Sequence, residues 1–285
     1  MLLLPLVLLA VFTYGPMYGQ QIAFRDFKIN RGIWGSEWIW FDNFIKFTKD
    51  IFFTRVIANT LRISIVGRIF TFPAPIIFAL LINEIGRMRF KRVVQTISYL
   101  PHFLSWVIIA SFVMQILSPE AGIINTLMNK VGLGTYYFLG DPKAFVPVLI
   151  SAQVWAGVGW SSIVYLAAIA AIDQEMYESA AIDGINRFQN VIYITLPSIA
   201  PTITILFILS MSGIMTAAFD PVFNLKNNLN LATSQTIELY IYTQGLEQAK
   251  YSYSAAISFF QNVIGLIFVL GTDFIAKKIN GQGLF

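Results

Sequence analysis

The sequence contains no cysteine. That excludes a disulfide framework and any thiolate metal site, and it selects no compartment. Histidine is nearly absent as well, His102 being the only one. Charge is scarce: Asp, Glu, Lys and Arg make up 12% of the 285 residues, against roughly 25% in a soluble domain. So few charges leave too little polar surface to face water. No Lys/Arg run is long enough to suggest nucleic acid as a partner. What fills the chain is apolar, at 56% hydrophobic residues. Lipid is the natural solvent for such a composition. The length is then best divided by the roughly 20 residues that one bilayer crossing takes.

Six apolar segments stand out, at about 2–18, 56–85, 93–117, 145–172, 199–219 and 253–276. Backbone groups in lipid need partners within their own segment, so each segment is expected to be a helix despite internal Pro and β-branched residues. The first lacks a basic n-region and a small-residue cleavage site, which favours an anchor over a signal peptide. It is short for a span and begins at Met1, so a natural segment ahead of it is expected. With no internal repeat and no low-complexity linker, the chain reads as a single all-α integral membrane domain over 1–285.

Basic residues orient the bundle. Arg87, Arg89, Lys91 and Arg92 crowd one short turn, and Lys277 and Lys278 sit in the tail. Four segments separate the two groups, so both can lie in the cytoplasm. Both termini are then cytoplasmic, and the 20–55, 118–143 and 220–250 loops lie outside. The 173–197 loop is expected inside, yet Asp173, Glu175, Glu178 and Asp183 outnumber Arg187. An acidic inner loop calls for a separate explanation.

That loop reads as structure. Gln174–Ile182 has good helix formers with acidic residues early, where the helix dipole favours them. Gly184 sits where a helix stops with positive φ. A second short helix is expected over about 186–194, and Pro197 is expected to open the fifth span at a first-turn position. The two helices would form a knob parallel to the membrane, with Ala180 and Ala181 as a small-residue face for close approach. An ordinary interfacial loop is the plainer alternative.

The run Glu178-Ser179-Ala180, then Asp183-Gly184, then Ile194-Thr195-Leu196-Pro197 resembles the EAA loop of ABC importer permeases. The presence of Phe188 and Pro201 is similar to the carbohydrate-uptake branch. Ser179 replaces the motif's first alanine, and Ile185 stands where alanine is common. Tyr14-Gly-Pro-Met-Tyr-Gly, Asn59-Thr60-Leu61, Phe72-Pro73-Ala74-Pro75, Tyr99-Leu100-Pro101-His102-Phe103 and Asn280–Phe285 extend the resemblance along the chain, toward polysaccharide-type permeases such as those of alginate importers. The resemblance implies a six-helix type I transmembrane domain, with Glu178, Ser179, Ala180, Asp183, Gly184, Leu196 and Pro197 in the coupling helix and its exit. It implies a second homologous permease, two ATPase subunits that bind ATP and Mg, and an extracytoplasmic sugar-binding protein. The chain itself has no G-x-x-x-x-G-K-[S/T] phosphate loop.

For the substrate path, ionisable groups within spans are the default candidates. Arg55 and Arg62 share a helix face and Arg68 lies on another. Arg62 is the arginine proposed for an acidic sugar such as a uronate, through a bidentate contact; pairing with a neighbouring helix is the bland alternative. Gln153, Trp155, Trp160 and Gln115 offer aromatic faces and amides, although bundle packing and interfacial belts use the same residues. Gly157 and Gly159 permit close helix approach. Ser210, Ser212, Gly213 and Thr216 make the fifth segment small and polar, which suits a path or a subunit interface. His102 is expected to pack rather than relay protons. Trp34, Trp38 and Trp40 suit either a partner contact or a packed loop. Two other function classes have requirements of their own. An ion-coupled secondary transporter would need intramembrane carboxylates, and only Glu84 and Asp273 come near. A membrane enzyme would need a catalytic constellation, and none is visible.

Overall fold

The computed structural model describes residues 3–216 and 218–280. Five helical runs are long and apolar enough to cross a bilayer: Leu3–Phe24, Phe53–Asn83, Pro142–Ala170, Arg187–Met211 and Tyr251–Lys278. They are called spans 1, 2, 4, 5 and 6. A sixth crossing comes from a pair, Met88–Phe103 and Trp106–Ile116, bent by 105°; together they form span 3. Lipid explains the exposed faces. Span 1 has no buried residue in its apolar window, because a helix in hydrocarbon needs no protein cover.

Buried contacts give each span a direction. Ile63 of span 2 clusters with Leu149 near the start of span 4. Ala79, farther along span 2, meets Tyr165 and Ile169, farther along span 4. Spans 2 and 4 therefore run parallel, which requires an odd number of crossings between them. The bent span 3 supplies one. Span 5 runs the other way, with Ile199 beside Ala79 and Met211 beside Val56. Ile257, early in span 6, joins that second cluster, so six crossings alternate.

Span 3 departs from the single helix expected over 93–117. Leu104 (φ −83°, ψ 141°) and Ser105 (φ −67°, ψ 152°) are extended, so the helical path stops and restarts. Pro101 lacks the N–H that a continuing helix requires. Ser105 recaps the second piece, its hydroxyl accepting from Ile108 N–H at 3.4 Å. The first piece lies hard against span 4 at Gly159, where any Cβ would run into the Ser98 carbonyl. His102 stacks on Trp160, centroids 4.7 Å apart and 3° between planes. The lone histidine and one expected substrate tryptophan are thus a packing pair.

Other boundaries shift too. Span 5 begins at Arg187 rather than near 199, and its helix ends at Met211 rather than 219. Pro197 does hold the expected first-turn position of the α-helix Leu196–Met211, but the wide π-type turn Val191–Thr195 precedes that helix, so the helical run begins ahead of the proline. Residues 281–285, part of the quoted tail motif, lie outside the described residues.

The end of the bundle away from the 174–182 helix is covered by folded loops. Strands β1 (Arg25–Lys28) and β2 (Ser36–Trp38) pair antiparallel. Trp38 stacks on Phe24 and carries Arg25 over its ring at 4.9 Å, whereas Trp34 (78%) and Trp40 (65%) stay exposed. Asp50 accepts hydroxyls from Tyr240 (2.7 Å) and Tyr253 (2.8 Å) and the Phe52 N–H at 2.8 Å. Burial alone would raise the Asp50 carboxyl, but those donors outweigh it and hold it below the usual range. The Tyr240 hydroxyl, desolvated and bonded to that carboxylate, is pushed up to about 12. The Asn59-Thr60 pair explains its own place in the sequence. Asn59 donates to the Ala232 carbonyl at 2.9 Å, and Thr60 accepts the Ile237 N–H at 2.8 Å, fastening the 230–237 loop to span 2.

Candidate functional site

The acidic loop folds as its pattern predicts at the first helix. Gln174–Ile182 is helical, and Asp173 caps it by accepting the Glu175 N–H at 3.0 Å. Gly184 has φ +76°. The Ile185 N–H bonds the Ala180 carbonyl at 3.0 Å and the Gly184 N–H bonds the Ala181 carbonyl at 3.2 Å. These two bonds close the helix as a Schellman turn, which needs a residue without Cβ strain at position 184. Asn186 and Gln189 form a capping box. Beyond it the chain enters span 5 directly, so the second short helix expected over 186–194 is the root of span 5 and not a separate arm.

Glu178, Ser179, Ala181 and Asp183 are exposed, but Ala180 is only 5% exposed. The expected small-residue face is therefore halved: Ala180 seats the helix on its own bundle. Apolar side chains project instead, namely Ile182 (87%), Phe188 (73%) and Met176 (47%). Apolar groups exposed together in a charged loop make a candidate contact surface. Their sequence signal was three large apolar residues in an otherwise acidic stretch. Behind the helix, Tyr177 Oη lies 2.9 Å from Thr195 Oγ1. Thr195 is buried, so this bond ties the loop helix to the root of span 5. Leu196 is half-buried and Pro197 exposed.

The candidate substrate residues divide among separate cavities. One, of about 550 Å³, lies between spans 2 and 5 and is lined by Arg68, Trp106, Gln153, Ser210 and Thr216 among others. The Arg68 guanidinium donates to the Ser210 carbonyl from Nε (3.0 Å) and Nη2 (2.8 Å), and to the Ser64 carbonyl from Nη1 (3.2 Å). From Ser212 to Thr216 the chain is no longer regular helix, and Ala218 is held at φ +52°. Irregular backbone at membrane depth is tolerated where it lines a cavity. Trp106, Gln153 and Asp220 also border a neighbouring cavity of about 460 Å³ at the break of span 3. Arg62 and Trp155 face a third groove, between spans 2 and 4, with Lys143. Gln115 is exposed near the end of span 3. Gln153 thus shares a cavity with Arg68, as Trp155 shares one with Arg62. Asp273 is buried and bridged to Lys277 at 3.3 Å, and Glu84 is exposed.

Residues 71–281 match the model of the binding-protein-dependent transport system inner membrane component family. The chain belongs to that family. Protein LplB of Bacillus subtilis (strain 168) is 40% identical over all of this chain and 90% of its own length. The polygalacturonan/rhamnogalacturonan transport system permease protein YteP of the same organism is 40% identical over 96% of this chain and 86% of its own. A chain of a bacterial ABC transporter that imports the acidic polysaccharide alginate superposes with TM-score 0.91 at 39% identity, covering 98% of this chain and 94% of that one. The same score, at 38% identity, is found for the alginate transporter in complex with its alginate pentasaccharide-bound periplasmic protein. The fold is the type I importer permease fold, and the chain is an inner-membrane component of a binding-protein-dependent transport system; its relatives are permease subunits, not enzymes. An ion-coupled transporter acting alone is not favoured.

Proposed function

We propose that this permease, as one domain, supplies half of a translocation path for acidic oligosaccharides. Arg68 carries the reading. It is a guanidinium at membrane depth, lining a cavity beside an amide and an indole. Three of its five N–H groups serve carbonyls; the rest are available to a carboxylate, for which the planar guanidinium is well shaped. Relatives that move polygalacturonan and alginate support an acidic cargo. Arg62, in its separate groove, is assigned a lesser role.

The drive comes from outside the chain. In this reading the 174–182 helix docks its Glu178–Gly184 stretch, with Ile182 and Phe188, into an ATPase subunit in the cytoplasm. ATP and Mg bind on two such subunits. A second homologous permease completes the path, and an extracytoplasmic sugar-binding protein delivers cargo to the opposite face. Both termini are then cytoplasmic. The Tyr177–Thr195 bond carries the docking motion to span 5.

Uptake of acidic and neutral oligosaccharides by the complete importer in proteoliposomes tests the cargo. Arg68→Gln is expected to lower acidic uptake by about tenfold or more, the worth of one charge-assisted contact, with Arg68→Lys intermediate and Arg62→Ala nearly silent. If neutral oligosaccharides are carried as well as acidic ones and Arg68→Gln changes nothing in an assembled complex, the acidic reading is wrong.

A further inference from the structure

A cavity of about 520 Å³ opens at the end of the bundle away from the 174–182 helix, separate from the cavity at Arg68. It lies between β1, the Asp42–Thr48 helix and the turn before span 6. Phe27 and Tyr251, edge to face at 6.3 Å, form part of its wall. Two amides line it, both nearly buried: Asn43 at 5% and Gln244 at 8% exposure. Asn43 Nδ2 donates to the carbonyls of Ala23 (2.9 Å) and Arg25 (3.3 Å), which fixes that amide's orientation. Gln244 Oε1 accepts from Lys250 Nζ at 3.0 Å, which fixes the other. The remaining halves, Asn43 Oδ1 and Gln244 Nε2, have no hydrogen-bond partner among the described residues.

This acceptor and this donor open onto the cavity, where an occupant can take the place of water as their partner. The surroundings say which kind. Lys28 and Lys46 stand at the rim, each held only by an exposed ion pair, to Asp26 at 3.3 Å and to Asp42 at 2.7 Å, and such pairs exchange partners at little cost. The Asp50 carboxylate is already taken by two tyrosines and a backbone N–H. Ala249, beside Lys250, is held at φ +55°, a strained conformation that tends to collect at binding sites. Gln244 itself sits on a π-type turn, Thr243–Glu247.

We propose that this cavity is a second carbohydrate site, one that takes a single uronate unit of the cargo on the face where cargo is delivered. The inference rests on the acidic-cargo reading above. Asn43 Oδ1 and Gln244 Nε2 read neighbouring hydroxyls, the aromatic rings cover the apolar face of the pyranose, and an ammonium meets the carboxylate. The volume falls within the range of small-ligand pockets.

Labelled trigalacturonate is titrated onto the complete importer in nanodiscs, without binding protein, in both wild-type and Arg68→Gln complexes. Saturable binding is expected in both, because the cavity is separate from Arg68. Gln244→Glu is expected to weaken it by about tenfold and Lys46→Ala by about threefold, the worth of one hydrogen bond to a charged or neutral group, and maltotriose should compete poorly. Absence of saturable binding overturns the inference, as does binding that ignores both substitutions. If the substitutions instead reduce only retention of the sugar-binding protein, the cavity receives a protein side chain and the inference is wrong. Uptake measured in parallel separates the two readings. Acidic uptake with no effect at Gln244 sinks the second site alone, whereas loss of the acid preference in uptake sinks the cargo reading.

Discussion

At the scale of single residues, the side chains with the most consequence are those whose position the sequence could only half indicate. Gly184 was legible, because a helix with acidic residues at its start and a glycine at its end has few other readings, and its φ of +76° follows. Arg62 and Arg68 were both visible as intramembrane charges, but their partners were not. Spacing along one helix places them on different faces without saying which face meets span 5. Gly159 carries a similar lesson. Its tolerance for close approach was readable, while the carbonyl it admits, that of Ser98, comes from the first helix of span 3, 61 residues earlier in the chain. Gly159→Ala is expected to destabilise the assembled permease by about 3 kcal/mol, since overpacking against backbone leaves nothing to move aside. A lowered Tm of the purified complex checks this; an unchanged Tm would mean that spans 3 and 4 can separate freely.

Among the elements, hydrophobic length identified every crossing, because the bilayer sets that length. Internal geometry was less legible. Span 3 reads as one apolar run, yet two extended residues after Pro101 turn it by 105°. The Tyr99–Phe103 motif is visible in the sequence, whereas the turn that follows it is not. Span 5 was misjudged at both ends for physical reasons: a π-type turn starts the helical run ahead of Pro197, and a small polar stretch ends it at Met211. The joint between the 174–182 helix and span 5 combines a hydroxyl pair, Tyr177 to Thr195 at 2.9 Å, with packing of the Tyr177 ring against the cluster that holds Ile199. Tyr177→Phe removes the hydroxyl pair at a cost of about 1 kcal/mol, too little to prevent assembly. The expected result is ATP hydrolysis with less sugar moved per ATP, read as the ratio of uptake to phosphate release. A ratio equal to wild type would place the linkage elsewhere.

For the whole molecule, the parallel run of spans 2 and 4 and the alternation of six crossings agree with the topology drawn from a few basic residues. Which face meets the cytoplasm is directly testable, because the 285 residues include no cysteine to interfere. Ser179→Cys should react with a membrane-impermeant maleimide only when the inner face is open, and Lys49→Cys only from outside; the reverse pattern would invert the bundle. The central claim is that this permease turns the motion of a partner ATPase into movement of sugar through the 174–182 helix. The most direct measurement is the ATPase activity of the reconstituted importer, with and without loaded binding protein, comparing wild type with Glu178→Lys and Gly184→Pro. The account predicts that ATPase subunits still assemble on the Glu178→Lys complex while stimulation by loaded binding protein disappears, and that Gly184→Pro, which cannot adopt the required φ, does the same or worse. Full stimulation and uptake in both variants would contradict it.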